Sequence, residues 1–267
     1  MPLLHIAIVA LIQGITEFLP ISSSGHLILL PRLTGLADQG QAMDVAVHVG
    51  TLGAVMLYFS AEVRRVLTGI SRLASLRPDD PDAQLALGLI IATIPVVLVG
   101  LAVEMAGLES ALRSIKVVGW ATLIFGIFLW WADRNGPESL TAREWTLKHA
   151  LILGLWQLVA LIPGTSRSGI VITGGRLLGY TRYDAAKISM LMSIPTILAS
   201  GVLLSAEVTA DMNAALAKDA AIGAAFAFVA ALAALHFMMR LLRSVSFTPY
   251  VIYRAVLGVA LLAIAYT

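Results

Sequence analysis

The chain has 267 residues, 59% of them apolar and only 13% charged, with a mean hydropathy of +0.89. Soluble domains carry about 25% charged residues, so composition excludes a water-soluble enzyme or binding module and predicts one polytopic, all-α membrane domain over 1–267. A net charge of +2 and a pI near 9.0 fit the basic loops of membrane proteins and give no support to nucleic-acid binding; the lack of cysteine excludes disulfides, thiolate catalysis and thiolate-bound metal.

The first predicted element is an apolar region at 3–36 with no basic residue before Arg32, so it is not read as a cleaved signal peptide. It is interrupted by Gln13 to His26, QGITEFLPISSSGH, which packs a carboxylate, an amide, three serine hydroxyls and an imidazole into apolar surroundings. Groups that lose hydration need partners, so this stretch lines water or binds a ligand. Complete spans follow at about 43–60, 84–103 and 116–132, each long enough for the roughly 17–25 residues a bilayer requires. A second broken region, 149–180, carries PGTSRS at Pro163 to Ser168, and three more spans follow at about 186–205, 221–239 and 250–266. Non-helical backbone survives at membrane depth only inside protein or beside a water-filled cavity, so both broken regions are predicted to be re-entrant helical hairpins.

Charges in the connections set an orientation. The 61–83 loop holds Arg64, Arg65, Arg72 and Arg77, and Arg240 and Arg243 follow Met239, which places both on the cytoplasmic side. The 206–220 connection, with Glu207, Asp211 and Asp219 against Lys218, belongs outside. Counting spans then makes the two hairpins enter from opposite leaflets. A weak internal repeat agrees: Leu11-Ile12-Gln13-Gly14 resembles Leu151-Ile152-Leu153-Gly154, Glu17 aligns with Gln157, PISSSG with PGTSRSG, and Ile94-Pro95 with Ile194-Pro195. The expected architecture is an inverted-topology repeat of about 1–134 and 147–243 plus an extra terminal helix at 250–266, with a site where the broken helices meet.

Gln13 and Glu17 are four apart and share a helical face. One ionised group at mid-membrane costs about 2.5–3.5 kcal/mol or more, so Glu17 and Arg167 need a reason. Helix starts near Ser24 and Ser168 present free N–H groups and a positive dipole end, and with Arg167 they form a predicted phosphate-binding site. A carboxylate beside phosphate is best reconciled by a bridging hard cation, Mg²⁺ or Ca²⁺, held by Glu17 and Gln13. His26 is the candidate proton carrier and Ser23 the candidate nucleophile, or a group that orients water.

The pair QGITEFLPISSSGH and PGTSRSG resembles the undecaprenyl-diphosphate phosphatase family, whose signatures are an (E/Q)xxxE segment running into a serine-rich turn and His, and PGxSRSxxT. The likeness covers the whole chain, including the stretch Arg243 to Arg254. It implies hydrolysis of a polyprenyl diphosphate in the bacterial inner membrane at a site open to the periplasm. Glu17, Ser23, His26 and Arg167 are then catalytic, with Ser22, Ser24, Gly164, Thr165, Ser166 and Ser168 around the diphosphate. The lipid bilayer and the lipid substrate are the implied partners, and a homodimer is the assembly to test. Two positions depart from a fully acidic, fully hydroxylated motif: Gln13 brings no charge, and Val171 stands where the motif has Thr, with Thr173 two residues on.

Blander readings compete at each position. Glu17 could cap its own hairpin, Arg167 could only staple Glu17, and serines belong at any helix start. Asp44 and His48, an i, i+4 pair, are read as an interfacial residue and one that packs or hydrogen-bonds, Trp130 and Trp131 beside Asp133 and Arg134 as an interfacial belt, and Gly174-Gly175 as a signal of close packing or flexibility. A lipid-phosphate flippase or anion transporter is the rival function, because inverted repeats with broken helices serve alternating access; a structural scaffold is a third.

Overall fold

In a computed structural model the described residues are 1–35, 39–108, 112, 114–208 and 213–267. Asp211 of the acidic connection, the 109–111 stretch and the side chain of Glu207 lie outside what is described. The chain is helical throughout, with no strand among the described residues.

The N-terminal region is broken as the sequence predicts, into α1 (Leu3–Thr16) and α2 (Ser23–Thr34). α3 (Gln41–Tyr58) is followed after one residue by α4 (Ser60–Ala74), bent from it by 90°. The predicted loop at 61–83 is therefore largely a helix. Its Val63, Val66, Leu67, Ile70 and Leu73 recur at helical spacing, while Arg64, Arg65 and Arg72 make it too polar to span, so it suits the bilayer interface. α5 (Pro81–Met105) starts at Asp80, whose side chain accepts from the Asp82 N–H at 2.9 Å with Pro81 at the first helical position.

α6 (Ile115–Asn135) is followed by the second broken region, α7 (Leu147–Leu158), a 3₁₀ turn at Val159–Leu161 and α8 (Arg167–Leu178). α9 (Arg182–Val208), α10 (Ala214–Leu241) and α11 (Thr248–Tyr266) complete the chain. Five of these helices are long and apolar enough to cross a bilayer, and α3 with α4 makes a sixth if the bent pair counts as one span. The protein is thus a multi-pass, all-α membrane protein.

The core gathers on α8. From Ser168 to Arg176 every residue is buried, as a helix apolar on all sides requires, and Ile170, Val171 and Ile172 pack with Val55, Met190 and Leu235 in one cluster. Val171 is fully enclosed and Thr173 Oγ1 donates to Gly169 O at 2.8 Å, so neither supplies a hydroxyl to the site. Asp133, predicted for the interfacial belt, is instead buried, accepting from Arg176 Nε at 3.1 Å, Arg182 Nε at 2.7 Å and the Phe247 N–H at 3.1 Å. This carboxylate ties α6, α8, α9 and α11 together at one end of the molecule, where partners for a buried charge were not legible from its neighbours in sequence.

Small residues let helices touch backbone to backbone in a bilayer, where no hydrophobic drive separates helix from lipid. At the α3–α10 crossing a side chain on Gly50 would overlap the carbonyl oxygen of Ala224. Gly50→Ala is expected to destabilise the protein by about 1–3 kcal/mol, read as a lower melting temperature in detergent; an unchanged melt would show that this crossing relaxes freely.

Candidate active site

Each break is built by the same local chemistry. Pro20 and Pro163 restrict the preceding residue away from the helical region and deny the chain a donor. Ser22 and Ser166 then take matching left-handed conformations, φ 72° and 70°, immediately before α2 and α8. Ser166 Oγ accepts from the Gly169 N–H at 3.2 Å, a helix-start cap, and Ser22 Oγ lies 3.1 Å from Ser24 Oγ. Gly164 sits at φ 93°, where an added side chain would overlap Val118 O.

The two breaks interlock. The Gly164 N–H donates to Ser24 Oγ at 3.2 Å, and Ser168 Oγ donates to Leu19 O at 3.1 Å. Arg167 Nη2 donates to Glu17 Oε1 at 2.9 Å, so the guanidinium of one hairpin reaches the carboxylate of the other. Glu17 Oε2 accepts from Gln13 Nε2 at 2.9 Å and from Ser23 Oγ at 3.1 Å. Beside them lies a notch of about 140 Å³ lined by Glu17, Ser22, Ser23, Ser24, Ala160, Ile162, Gly164, Ser166 and Arg167. Arg167 Nη1 is buried with no hydrogen-bond partner. One prong of the fork is therefore occupied by Glu17 while the other is unspent, and an unpaired buried donor is costly until an acceptor arrives.

Most of the predicted residues meet here, and four do not line the notch. Gln13 is fully buried, its Nε2 donating to Glu17 Oε2. Ser168 is turned to Leu19, Thr165 is fully buried with Oγ1 unpartnered, and His26 stands outside the lining with Nδ1 2.7 Å from Ser22 O and Nε2 2.5 Å from Tyr253 OH. Sequence reasoning missed others. His48, expected to pack or hydrogen-bond, makes its hydrogen bonds at the site: its Nε2 lies 3.1 Å from Gln13 Nε2 and 3.8 Å from Glu17 Oε2, with Nδ1 held 2.7 Å from Asp44 O. The Asp44–His48 spacing was the available signal. Arg254 is fully buried on α11 and donates to Pro20 O, Thr122 O, Gly164 O and Thr165 O at 2.9–3.2 Å, clasping both breaks at once.

Among the described residues there is no group of three or more His, Asp or Glu side chains shaped for a metal. The donor set still fits a hard cation that completes its shell elsewhere. Gln13 Oε1 is a buried acceptor with no partner beside Glu17, and Mg²⁺ is typically held by one or two protein oxygens plus substrate phosphates rather than by an all-protein cage.

A family model described as Bacitracin resistance protein BacA matches residues 6–260. The chain belongs to this family. Among curated relatives, the undecaprenyl-diphosphatases of Ruegeria pomeroyi and Dinoroseobacter shibae are each 67% identical over 267 residues, covering all of both chains. The undecaprenyl-diphosphatase of Chromohalobacter salexigens is 45% identical over 259 residues, 97% of each chain.

Proposed function

We propose that the protein is a membrane phosphatase that hydrolyses undecaprenyl diphosphate, or a closely related polyprenyl diphosphate, to the monophosphate and inorganic phosphate. The relatives' names point to this substrate, and one observation carries the chemistry: Ser23, Glu17 and Arg167 form a continuous chain across the two breaks, with an unspent guanidinium nitrogen on a polar notch. A transporter needs anion donors but has no use for a hydroxyl aligned on a carboxylate.

Arg167 Nη1 and the N–H groups at the starts of α2 and α8 receive the terminal phosphate, whose charge they stabilise as it develops on the equatorial oxygens. Glu17 takes the proton of Ser23 Oγ, which it already accepts in a hydrogen bond. Attack by Ser23 Oγ forms a new P–O bond as the bridging P–O bond breaks and the lipid monophosphate departs; water then releases phosphate from the serine. Glu17 and Gln13 Oε1 would hold a divalent cation, Mg²⁺ or Ca²⁺, which supplies charge neutralisation to the phosphates when bound. In this reading the isoprenoid tail stays in lipid, the notch opens to the periplasmic face of the inner membrane, and the two hairpins are related as an inverted repeat.

The test is phosphate release from a polyprenyl diphosphate by purified protein, with and without a chelator and beside Ser23→Ala. Loss of about 10²-fold or more in Ser23→Ala is expected, with partial loss on chelation. Wild-type protein that moves lipid phosphate across proteoliposomes without releasing phosphate would reverse the assignment in favour of a flippase.

A further inference from the structure

His26 has no free ring nitrogen. A backbone carbonyl only accepts, so the 2.7 Å contact with Ser22 O places the hydrogen of neutral His26 on Nδ1. Nε2 is then the acceptor, and it is capped at 2.5 Å by the hydroxyl of Tyr253, whose ring lies within 7° of parallel to the imidazole at a centroid distance of 5.5 Å. Any proton that His26 exchanges with a substrate must therefore displace Tyr253 or pass through it.

Tyr253 is also placed on the lipid side. It is 45% exposed in a row with Ile252, Val256 and Val259, the face that α11 turns away from the protein. Its hydroxyl is the polar group in that row, and it meets His26 one turn into α2, next to the Ser22–Ser24 lining of the notch. A lipid diphosphate with its tail in the bilayer would carry its bridging oxygen on that flank.

We propose that Tyr253 is a catalytic residue that relays the proton of His26 to the departing lipid monophosphate, an inference that rests on the phosphatase reading. As the bond between the terminal phosphorus and the bridging oxygen breaks, its electron pair stays on that oxygen. When His26 gains a second proton, Nε2 becomes the donor to the Tyr253 oxygen and the hydroxyl hydrogen is freed. Tyr253 gives that hydrogen to the bridging oxygen and takes the proton from Nε2 of the imidazolium, and solvent reprotonates the neutral imidazole. The proton removed from Ser23 leaves through Glu17, so the count closes. The extra helix after the repeat thereby contributes two consecutive residues to one centre: Tyr253 on its reacting flank and Arg254 behind its loops.

The experiment uses the full chain in detergent or nanodiscs with a polyprenyl diphosphate. Wild type and Arg167→Ala come first: no phosphate release by wild type sinks the phosphatase reading, while release by wild type that vanishes in Arg167→Ala puts the chemistry at this notch, so that the Tyr253 variants test the relay alone. Tyr253→Phe keeps the ring and loses only the hydroxyl, and its kcat is expected to fall about 10²-fold, the usual yield of one general acid. KM should stay within about twofold, because the interaction is made in the transition state. Tyr253→Phe combined with His26→Ala should be no slower than the worse single variant, as residues acting in series are non-additive. A Tyr253→Phe protein with kcat near wild type, a loss carried by KM alone, or losses that multiply in the double variant would overturn the relay.

Discussion

Arg167→Ala is expected to lower kcat/KM for the diphosphate by about 10³-fold or more, the scale at which arginine stabilises a transferring phosphoryl group. The side chain is only 14% exposed and spends Nη2 on Glu17 while Nη1 is unpartnered, so it is already oriented before substrate arrives. That arrangement costs no reorganisation in the transition state, which is where fixed donors in a dry site contribute most. Arg167→Lys should recover little, since a single ammonium cannot reach Glu17 Oε1 and a phosphate oxygen in the planar fork geometry. The variant also leaves Glu17, 8% exposed, without its cation, so a melting curve must accompany the kinetics. A folded Arg167→Ala protein with wild-type phosphate release would remove this residue from the chemistry.

Arg254→Ala should carry the largest loss of stability of any single change considered. The guanidinium is buried, no carboxylate pairs with it among the described residues, and its charge is compensated by four carbonyl groups. Gly164 O keeps a second donor in Thr122 Oγ1 at 3.2 Å. Thr165 O and Pro20 O lose the donors that hold them, at about 1–3 kcal/mol each, and removal of so large a side chain leaves a cavity as well. A total near 3–5 kcal/mol follows, seen as loss of the monodisperse folded peak in detergent or a large drop in melting temperature. Arg254→Lys is expected to rescue only in part, because one ammonium cannot span the two breaks; full stability in that variant would refute the clasp. Gly126 and Gly169 pack directly against this side chain, and bulk at either position should act in the same direction.

The breaks were legible from sequence because their causes are local. Pro20 and Pro163 stop a helix by their own covalent geometry, and a serine marks each restart, with Ser166 capping α8 through its side chain. A run of apolar residues long enough to span a bilayer is also visible without knowledge of its neighbours. Helix α4 was misread as a loop because its arginines weighed more than its apolar periodicity, which is the usual confusion for a helix that lies at an interface.

The sequence by itself determined that this is a multi-pass helical membrane protein with two interrupted hairpins, and it named Glu17, Ser23 and Arg167 as groups that would meet. Only the tertiary structure decided what surrounds them: His48 beside Gln13, Tyr253 on His26 across 227 positions, Arg254 under both loops, and Asp133 buried instead of exposed. The physical reason is that a polar group in an apolar chain announces its need for a partner but not the partner's address. Apolar helices pair with little sequence preference, and it is their packing that settles which distant donor satisfies which buried acceptor.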